Sequence, residues 1–204
     1  MAKLYFKYGA MGSSKTAQVL ITKFNYEERN MKVWLIKPST DNRDEADVIK
    51  SRIGLFARGD IIYPDTNIIE EFKKHGKADV IIADECQFLT EAQIDQLRDI
   101  VDDMDVPVLC FGLRTDFLTK AFTGSLRLFE VADSITEIKT ICKCGSKAIV
   151  NARMDDRGNI LTHGAQICIG GNDRYIAMCH KCWKKAIVGQ KSGMQIDIKQ
   201  DIQE

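Results

Sequence analysis

The sequence predicts an α/β fold, in which a mainly parallel sheet with helices on both faces is followed by a small cysteine-bearing subdomain. Four short, largely apolar segments predict the strands: Leu4 to Tyr8, Val33 to Lys37, Val80 to Ala83 and Val108 to Phe111. Continuous rather than alternating apolarity is typical of strands covered on both faces, as in parallel sheets. Longer amphipathic stretches separate them, and this alternation predicts right-handed crossover connections.

The amphipathic stretches predict three helices. The first, Lys15 to Arg29, follows a glycine-bearing loop, and a second is expected from Thr66 to His75. The third, Thr90 to Val101, begins with Thr90 and Gln93 at the spacing of a capping box. Apolar residues then recur on one face of this helix, namely Ile94, Leu97 and Val101.

The character of the chain changes near Ile138. Beyond it lie two close cysteine pairs, many glycines and short β-like pieces such as Ala148 to Arg153. We therefore expect three parts: an α/β nucleotide-binding domain over residues 1–140, a small subdomain over 141–190, and a polar, mobile tail over 191–204.

Composition and charge place the chain among cytoplasmic globular proteins. Lysine plus arginine and aspartate plus glutamate number 29 each, so the basic excess typical of nucleic-acid or membrane-surface binding is absent. No apolar run approaches the roughly 20 residues of a membrane span, and no secretory signal is expected before the glycine loop. Seven cysteines in such a chain indicate a reducing compartment, where thiols ligate metals or pack as small hydrophobes.

The loop after the first predicted strand has the features of a phosphate-binding loop. It consists of Gly9, Ala10, Met11, Gly12, Ser13, Ser14, Lys15 and Thr16, and a helix follows. Backbone N–H groups and the positive end of the helix dipole favour phosphate there. Lys15 would reach the β- and γ-phosphates of ATP, and Thr16 would ligate Mg²⁺. Ser14 stands where the usual pattern has glycine, and the alternative is a strand-to-helix turn with an incidental Lys-Thr pair.

An acidic motif supports a P-loop NTPase-like domain. Asp84 and Glu85 directly follow the predicted strand Val80 to Ala83. An enzyme of this kind needs an aspartate beside the loop to hold Mg²⁺, usually through water. A kinase must also take a proton from its acceptor hydroxyl, and Glu85 could act as that base. The alternatives are a solvated acidic turn for the pair and a structural ion pair for Glu85.

The two cysteine pairs predict a zinc-ribbon-like subdomain. Cys142, Cys144, Cys179 and Cys182 suit a tetrahedral, structural Zn²⁺. The metal would hold together a segment that has too little core of its own. His163 or His180 could compete as a ligand, and free thiols in a core are the alternative.

A glycine-rich segment lies within the same subdomain. Adjacent glycines would let the backbone approach a flat ligand, and a tyrosine could pack against it. An ordinary glycine turn is the alternative. The residues concerned are Ile169, Gly170, Gly171 and Tyr175.

Five motifs follow one another along the chain. They are the loop at 9–16, Lys-Pro-Ser-Thr-Asp-Asn-Arg at 37–43, Asp-Glu-Cys-Gln-Phe at 84–88, Phe-Gly-Leu-Arg-Thr-Asp-Phe at 111–117 and Ile-Gly-Gly-Asn-Asp-Arg-Tyr at 169–175. Together with the paired cysteines, this set resembles the thymidine kinase family of the cytosolic and bacterial type. The resemblance extends from Leu4 to about Trp183.

The resemblance implies roles for individual residues. Glu85 would be the catalytic base for the 5′-hydroxyl of the nucleoside, while Lys15, Thr16 and Asp84 would serve Mg-ATP. Polar groups near the reacting phosphate and the 5′-oxygen would be Asp41 and Arg43. The thymine pocket would be lined by Met11, Phe88, Leu113 and Phe117, and the segment 169–175 would hold the base as a lasso. Asn151 falls where some members carry a pocket threonine.

The function implied is transfer of the γ-phosphoryl group of ATP to the 5′-hydroxyl of thymidine, with deoxyuridine as a second acceptor. The resemblance also implies a homotetramer and feedback inhibition by the end-product triphosphate. One rival function is a P-loop ATPase or regulatory switch that hydrolyses ATP without a nucleoside. A second rival is a zinc-ribbon module that binds nucleic acid.

Overall fold

The computed structural model describes residues 1–41, 47–167 and 174–191, which form two compact units. The first unit contains Met1–Gly9, Ser14–Arg114 and Ala121–Ile138. The second contains Ala10–Ser13, Thr115–Lys120 and the described residues from Lys139 onward. The predicted site residues Arg43, Ile169, Gly170 and Gly171, and the predicted tail beyond residue 191, lie outside the described residues.

The first unit alternates strands and helices along the chain. Its elements are β1 (Leu4–Tyr8), α1 (Lys15–Glu27), β2 (Val33–Pro38), β3 (Val48–Lys50), β4 (Phe56–Arg58), β5 (Asp60–Ile62), α2 (Ile68–His75), β6 (Val80–Ala83), a 3-10 turn (Cys86–Phe88), α3 (Glu91–Met104), β7 (Val108–Gly112), α4 (Thr123–Val131) and β8 (Ser134–Glu137).

The central sheet of this unit is parallel. Within the described residues it has six strands in the order β5-β2-β6-β7-β1-β8, and every neighbouring pair runs in the same direction. The strands β3 and β4 form a separate antiparallel pair. The predicted parallel α/β class is therefore confirmed, and the carboxyl ends of β1, β6 and β7 lie at one edge of the sheet.

Both faces of the sheet are covered by apolar side chains. In β6, Ile81 and Ala83 pack into one core cluster with residues of α2, α3 and α4. Val80 and Ile82 alternate with them and pack into a second cluster with Val19 of α1. Covering on both faces explains why these strands read as continuous apolar runs rather than alternating ones.

The three predicted helices form with small shifts at their ends. Helix α3 begins with the predicted capping box, because the Thr90 side chain accepts from the Gln93 backbone N–H and the Gln93 side chain accepts from that of Thr90. It continues beyond Val101 to Met104. Helix α2 begins at Ile68, since the Asn67 side chain accepts the Glu70 N–H and caps it.

The second unit has its own small core. Strands β9 (Val150–Arg153) and β10 (Tyr175–Met178) pair antiparallel, and helix α5 (His180–Lys191) follows. A cluster including Ala152, Met154 and Met178 is buried among these elements.

Among the described residues, no helix combines the length and the apolarity needed to cross a bilayer.

Candidate active site

The phosphate loop leaves β1 at its carboxyl end. The Gly9 N–H donates to the Gly112 carbonyl over 3.2 Å, and helix α1 begins at Lys15 after Ser14. Ser14 has φ 60° and ψ 28°, a left-handed conformation. This is the position where the usual motif carries glycine, which adopts that conformation without steric cost. Ser14 therefore adopts the backbone conformation that glycine would have at this position, and it does so with steric strain that glycine would not have.

Lys15 is buried at the start of α1. Its ammonium Nζ donates to the Gly9 carbonyl over 3.4 Å, so the side chain folds back along the loop that precedes it. A buried cation beside a loop and a helix N-terminus is the arrangement that attracts the phosphates of a nucleotide.

Asp84 follows β6 and lies beside the start of α1. The Thr16 side chain hydrogen-bonds to its carboxylate, and the Glu85 N–H donates to its Oδ1 over 3.0 Å. Burial, followed by the charge of Glu85, raises the pKa of Asp84 to about 7, although the Thr16 hydrogen bond and the Lys15 charge oppose the shift. The structure therefore brings together Lys15, Thr16, Asp84 and Glu85, and a hydroxyl with a carboxylate is a donor set that fits Mg²⁺.

Glu85 is 8% exposed and holds an uncommon backbone conformation, with φ 49° and ψ 35°. Left-handed conformations of non-glycine residues cluster at functional sites, because the surrounding structure must compensate their strain. Its Oε2 accepts a hydrogen bond from Gln87 Nε2 over 2.5 Å.

Two further predicted site residues lie in this first unit. The Leu113 N–H donates to Gln87 Oε1 over 2.9 Å, and the Leu113 carbonyl accepts from Ser125 Oγ over 2.5 Å. Phe88 packs edge-on against Phe122, with ring centroids 5.6 Å apart. Both residues are thus held at the end of the sheet that carries Glu85.

Asp41 lies at the last described position before the gap at 42–46. Its Oδ2 is 3.6 Å from Lys37 Nζ, and Lys37 is buried and also donates to the Val48 carbonyl over 2.9 Å. A buried lysine thus anchors the start of the segment that contains Arg43.

The second unit brings together Met11 and the segment that contains Phe117. The Met11 N–H donates to Asn151 Oδ1 over 2.7 Å, and Asn151 Nδ2 donates to the Thr115 carbonyl over 2.8 Å. Both polar atoms of the Asn151 amide are therefore used by backbone groups of segments far apart in the chain.

Phe117 is buried beneath a cation that the sequence analysis did not single out. The guanidinium of Arg153 lies 3.6 Å from the centre of the Phe117 ring, and its Nη1 donates to the Ala165 carbonyl over 3.0 Å. Tyr175, at the start of β10, pairs with Arg153 in the β9–β10 ladder. The one sequence signal for Arg153 is its place at the end of the β-like run Ala148 to Arg153, which is otherwise apolar apart from Asn151.

The four cysteines Cys142, Cys144, Cys179 and Cys182 converge, and we call them the four-cysteine cluster. Their Sγ atoms all lie within 4.8 Å of one another, within the part of the chain that the structure describes. The Sγ atoms of Cys144 and Cys179 are 3.7 Å apart, close to the separation of about 3.8 Å expected for thiolates around tetrahedral zinc. Hydrogen bonds from Ser146 lower the pKa of Cys144 to about 6. Hydrogen bonds with Cys144 and Cys179 raise the pKa of Cys182 to about 12, because neighbouring thiolates repel one another unless a cation lies between them.

Comparison with known proteins identifies the family. The family model for thymidine kinase matches residues 2–183. The chain belongs to the thymidine kinase family. Relatives named thymidine kinase include one from Vibrio vulnificus strain YJ016, 43% identical over 190 residues that cover 92% of this chain and 99% of the relative. Another, from Escherichia coli O157:H7, is 40% identical over 199 residues that cover 96% of this chain and 97% of the relative.

Membership of the thymidine kinase family implies ATP and a divalent metal. A third relative with the same printed name, from Ruegeria pomeroyi, is 43% identical over 189 residues that cover 91% of this chain and 96% of the relative. Among solved structures, one titled as a DNA replication initiation factor has a TM-score of 0.38 at 15% identity, covering 67% of this chain and 40% of that one. A likeness of that size adds nothing to the family assignment.

Proposed function

We propose that the chain is a thymidine kinase, which transfers the γ-phosphoryl group of ATP to the 5′-hydroxyl of thymidine and of deoxyuridine. The observation that carries the proposal is the thymidine kinase match over residues 2–183. The grouping of Lys15 and Thr16 with two buried carboxylates, Asp84 and Glu85, supports it.

In the proposed reaction, Glu85 accepts the proton of the 5′-hydroxyl. The nucleoside oxygen then forms a bond to the γ-phosphorus, while the bond from that phosphorus to the β,γ-bridging oxygen breaks and its electron pair leaves with ADP. A carboxylate can accept this proton if it lies within hydrogen-bond distance of the acceptor hydroxyl, and Glu85 is assigned that place. Its burial excludes water, which would otherwise compete as the acceptor.

The phosphates of ATP are assigned to the loop Gly9–Thr16, with the Lys15 ammonium on the β- and γ-phosphates. Thr16 and Asp84 would hold the magnesium ion, which neutralises phosphate charge when bound. We propose that Asp41 and Arg43 stand near the transferred group, where the guanidinium would stabilise its developing charge. The Asp41 carboxylate is held by the buried Lys37, whose Nζ is 3.6 Å from Asp41 Oδ2.

The thymine base is assigned to a pocket lined by Met11, Phe88, Leu113 and Phe117. Apolar and aromatic walls suit a flat, methylated base. The segment 169–175, ending at Tyr175, would close over the base and hold it through main-chain groups. Because both polar atoms of Asn151 hydrogen-bond to the protein backbone, the orientation of its amide is fixed.

We propose that the four-cysteine cluster binds one structural zinc ion and that residues 141–190 form a metal-stabilised lid. The close approach of the four Sγ atoms supports this assignment. Four protein ligands would leave no open coordination position, so the ion would stabilise structure without taking part in the reaction.

The proposed oligomer is a homotetramer inhibited by the end-product triphosphate. Two large apolar side chains of the first unit are exposed, Phe24 on α1 at 57% and Phe56 on the β3–β4 pair at 73%, and we propose that subunit contacts cover them. Light scattering of the purified chain, with and without thymidine triphosphate, would test the assembly.

The deciding experiment offers the purified chain labelled ATP, Mg²⁺ and a panel of nucleosides. We expect a monophosphate product with thymidine and deoxyuridine and none with purine nucleosides. Release of ADP at the same rate with and without nucleosides would instead favour a P-loop ATPase or switch.

A further inference from the structure

Gln87 is a buried polar residue of the motif at 84–88, and no role has been assigned to it so far. It lies in the 3-10 turn after β6 and is 2% exposed. Its Nε2 donates to Glu85 Oε2 over 2.5 Å, and its Oε1 accepts the Leu113 N–H over 2.9 Å. One side chain thus connects the proposed base to the backbone after β7.

The orientation of the Gln87 amide is set by the backbone. A backbone N–H can only donate, so the atom that faces Leu113 must be the amide oxygen. The NH₂ group must then face Glu85. A glutamine held in this way always presents a donor to Oε2 of the carboxylate, and it never presents an acceptor.

The position of this amide depends on the glycine at position 112. A Cβ atom at Gly112 would lie 2.6 Å from Gln87 Oε1 and 2.7 Å from Cys86 Sγ. Real Cβ atoms do not approach so closely, so the absence of a side chain at 112 is what lets the glutamine sit against the strand. A side chain at position 112 would therefore displace the Gln87 amide from its place between Glu85 and Leu113.

We propose that Gln87 is a positioning residue, which holds the Glu85 carboxylate for proton transfer. This inference rests on the proposed function. A glutamate side chain has three rotatable bonds, and Gln87 restricts them through a contact braced by Leu113. The same link joins the base to a residue assigned to the thymine pocket.

The test compares Gln87→Met with Gln93→Met in the full chain. Methionine matches glutamine in length but removes the hydrogen bonds. Gln93 is also a buried glutamine, and its Nε2 donates to the Tyr63 carbonyl over 2.7 Å, so its replacement controls for the loss of buried hydrogen bonds. We expect kcat for thymidine monophosphate formation to fall at least tenfold in Gln87→Met, with KM for ATP within twofold, and to stay within twofold in Gln93→Met.

A double variant separates positioning from general damage. If Gln87 acts through Glu85, adding Gln87→Met to Glu85→Gln lowers kcat by no more than about threefold further, because the base is already absent. Independent losses that multiply would overturn the proposal. An unchanged kcat in Gln87→Met would also overturn it.

A second variant covers the case in which Gln87→Met fails to fold. Gln87→Asn keeps a neutral amide but is one methylene shorter, so it cannot reach both Glu85 Oε2 and the Leu113 N–H, and we again expect kcat to fall at least tenfold. Unchanged turnover would overturn the proposal. A parent protein that forms no nucleoside monophosphate would overturn the proposed function and this inference together, whereas an active parent with unaffected Gln87 variants would overturn the inference alone.

Discussion

Replacement of Glu85 by glutamine is the sharpest test of the proposed chemistry, because the structure predicts that little else would change. Glu85 Oε2 accepts a hydrogen bond from Gln87 Nε2. The carbonyl oxygen of a glutamine at position 85 can accept the same bond. The two side chains have the same length, and neither is better suited than the other to the left-handed backbone at this position. The variant should therefore keep its fold and lose the proton acceptor, and the loss of the Glu85 charge should lower the pKa of Asp84.

The expected loss follows from what a general base contributes. Removal of a positioned base costs roughly 10²- to 10⁴-fold in rate, which corresponds to about 2.7 to 5.4 kcal/mol of transition-state stabilisation. The loss should fall on kcat, because Glu85 is assigned to the acceptor hydroxyl and not to the phosphates. Affinity for ADP should remain within about threefold of the parent value, since Lys15 and Thr16 are untouched.

The assay is steady-state formation of thymidine monophosphate from labelled ATP, with ADP binding measured by calorimetry. Glu71→Gln is a matched control, because it makes the same chemical change in an exposed ion pair with Lys74 on α2. Turnover by Glu85→Gln within about threefold of this control would refute the assignment of the base.

Three further outcomes are expected. Ser14→Gly should raise the free energy of unfolding by up to about 1 kcal/mol in denaturant titrations, because glycine relieves the left-handed strain; a loss of stability would contradict the strain argument. Metal analysis should return about one zinc per chain, and removal by a chelator should lower the melting temperature, whereas metal-free protein with unchanged melting would contradict the zinc assignment. The hydrogen bond from the Leu4 N–H, followed by the Arg98 side chain, lowers the pKa of Asp133, so the ionised carboxylate stabilises the fold. This stabilisation is present above the unfolded pKa near 4 and is lost as pH falls through the lower folded pKa. Parent and Asp133→Asn should therefore converge in stability at the acid end, and a constant difference across pH 2 to 7 would exclude this cause.

The parts of the fold that the sequence predicted are those with a strong local pattern. Strands β1, β2, β6 and β7 form the buried centre of the sheet, so both of their faces are apolar. Helix α3 carries its capping box in adjacent residues. Shorter elements lack such signals: β5 has three residues, and α4 begins at Thr123 after Phe122, whose side chain forms no cap.

The residues of the candidate site also differ in how well the sequence predicts them. Lys15, Thr16, Asp84 and Glu85 belong to short motifs whose spacing reflects their chemistry, and the structure groups them. Gln87 was noted only as part of the motif at 84–88 and Arg153 only as the end of a β-like run, because contacts that define their roles come from distant segments. The acceptor for the Leu113 N–H lies 26 positions away in sequence, and no local pattern encodes such a contact.

The amide of Asn151 has a consequence for protein engineering. It joins the backbone at Met11 to that at Thr115, although Met11 and Asn151 are 140 positions apart. A library that randomises position 151 to alter base preference would also release two backbone groups from their partners. Variants selected there for new substrates should benefit from compensating changes near residues 11 and 115, and screening the three sites jointly is the more productive design.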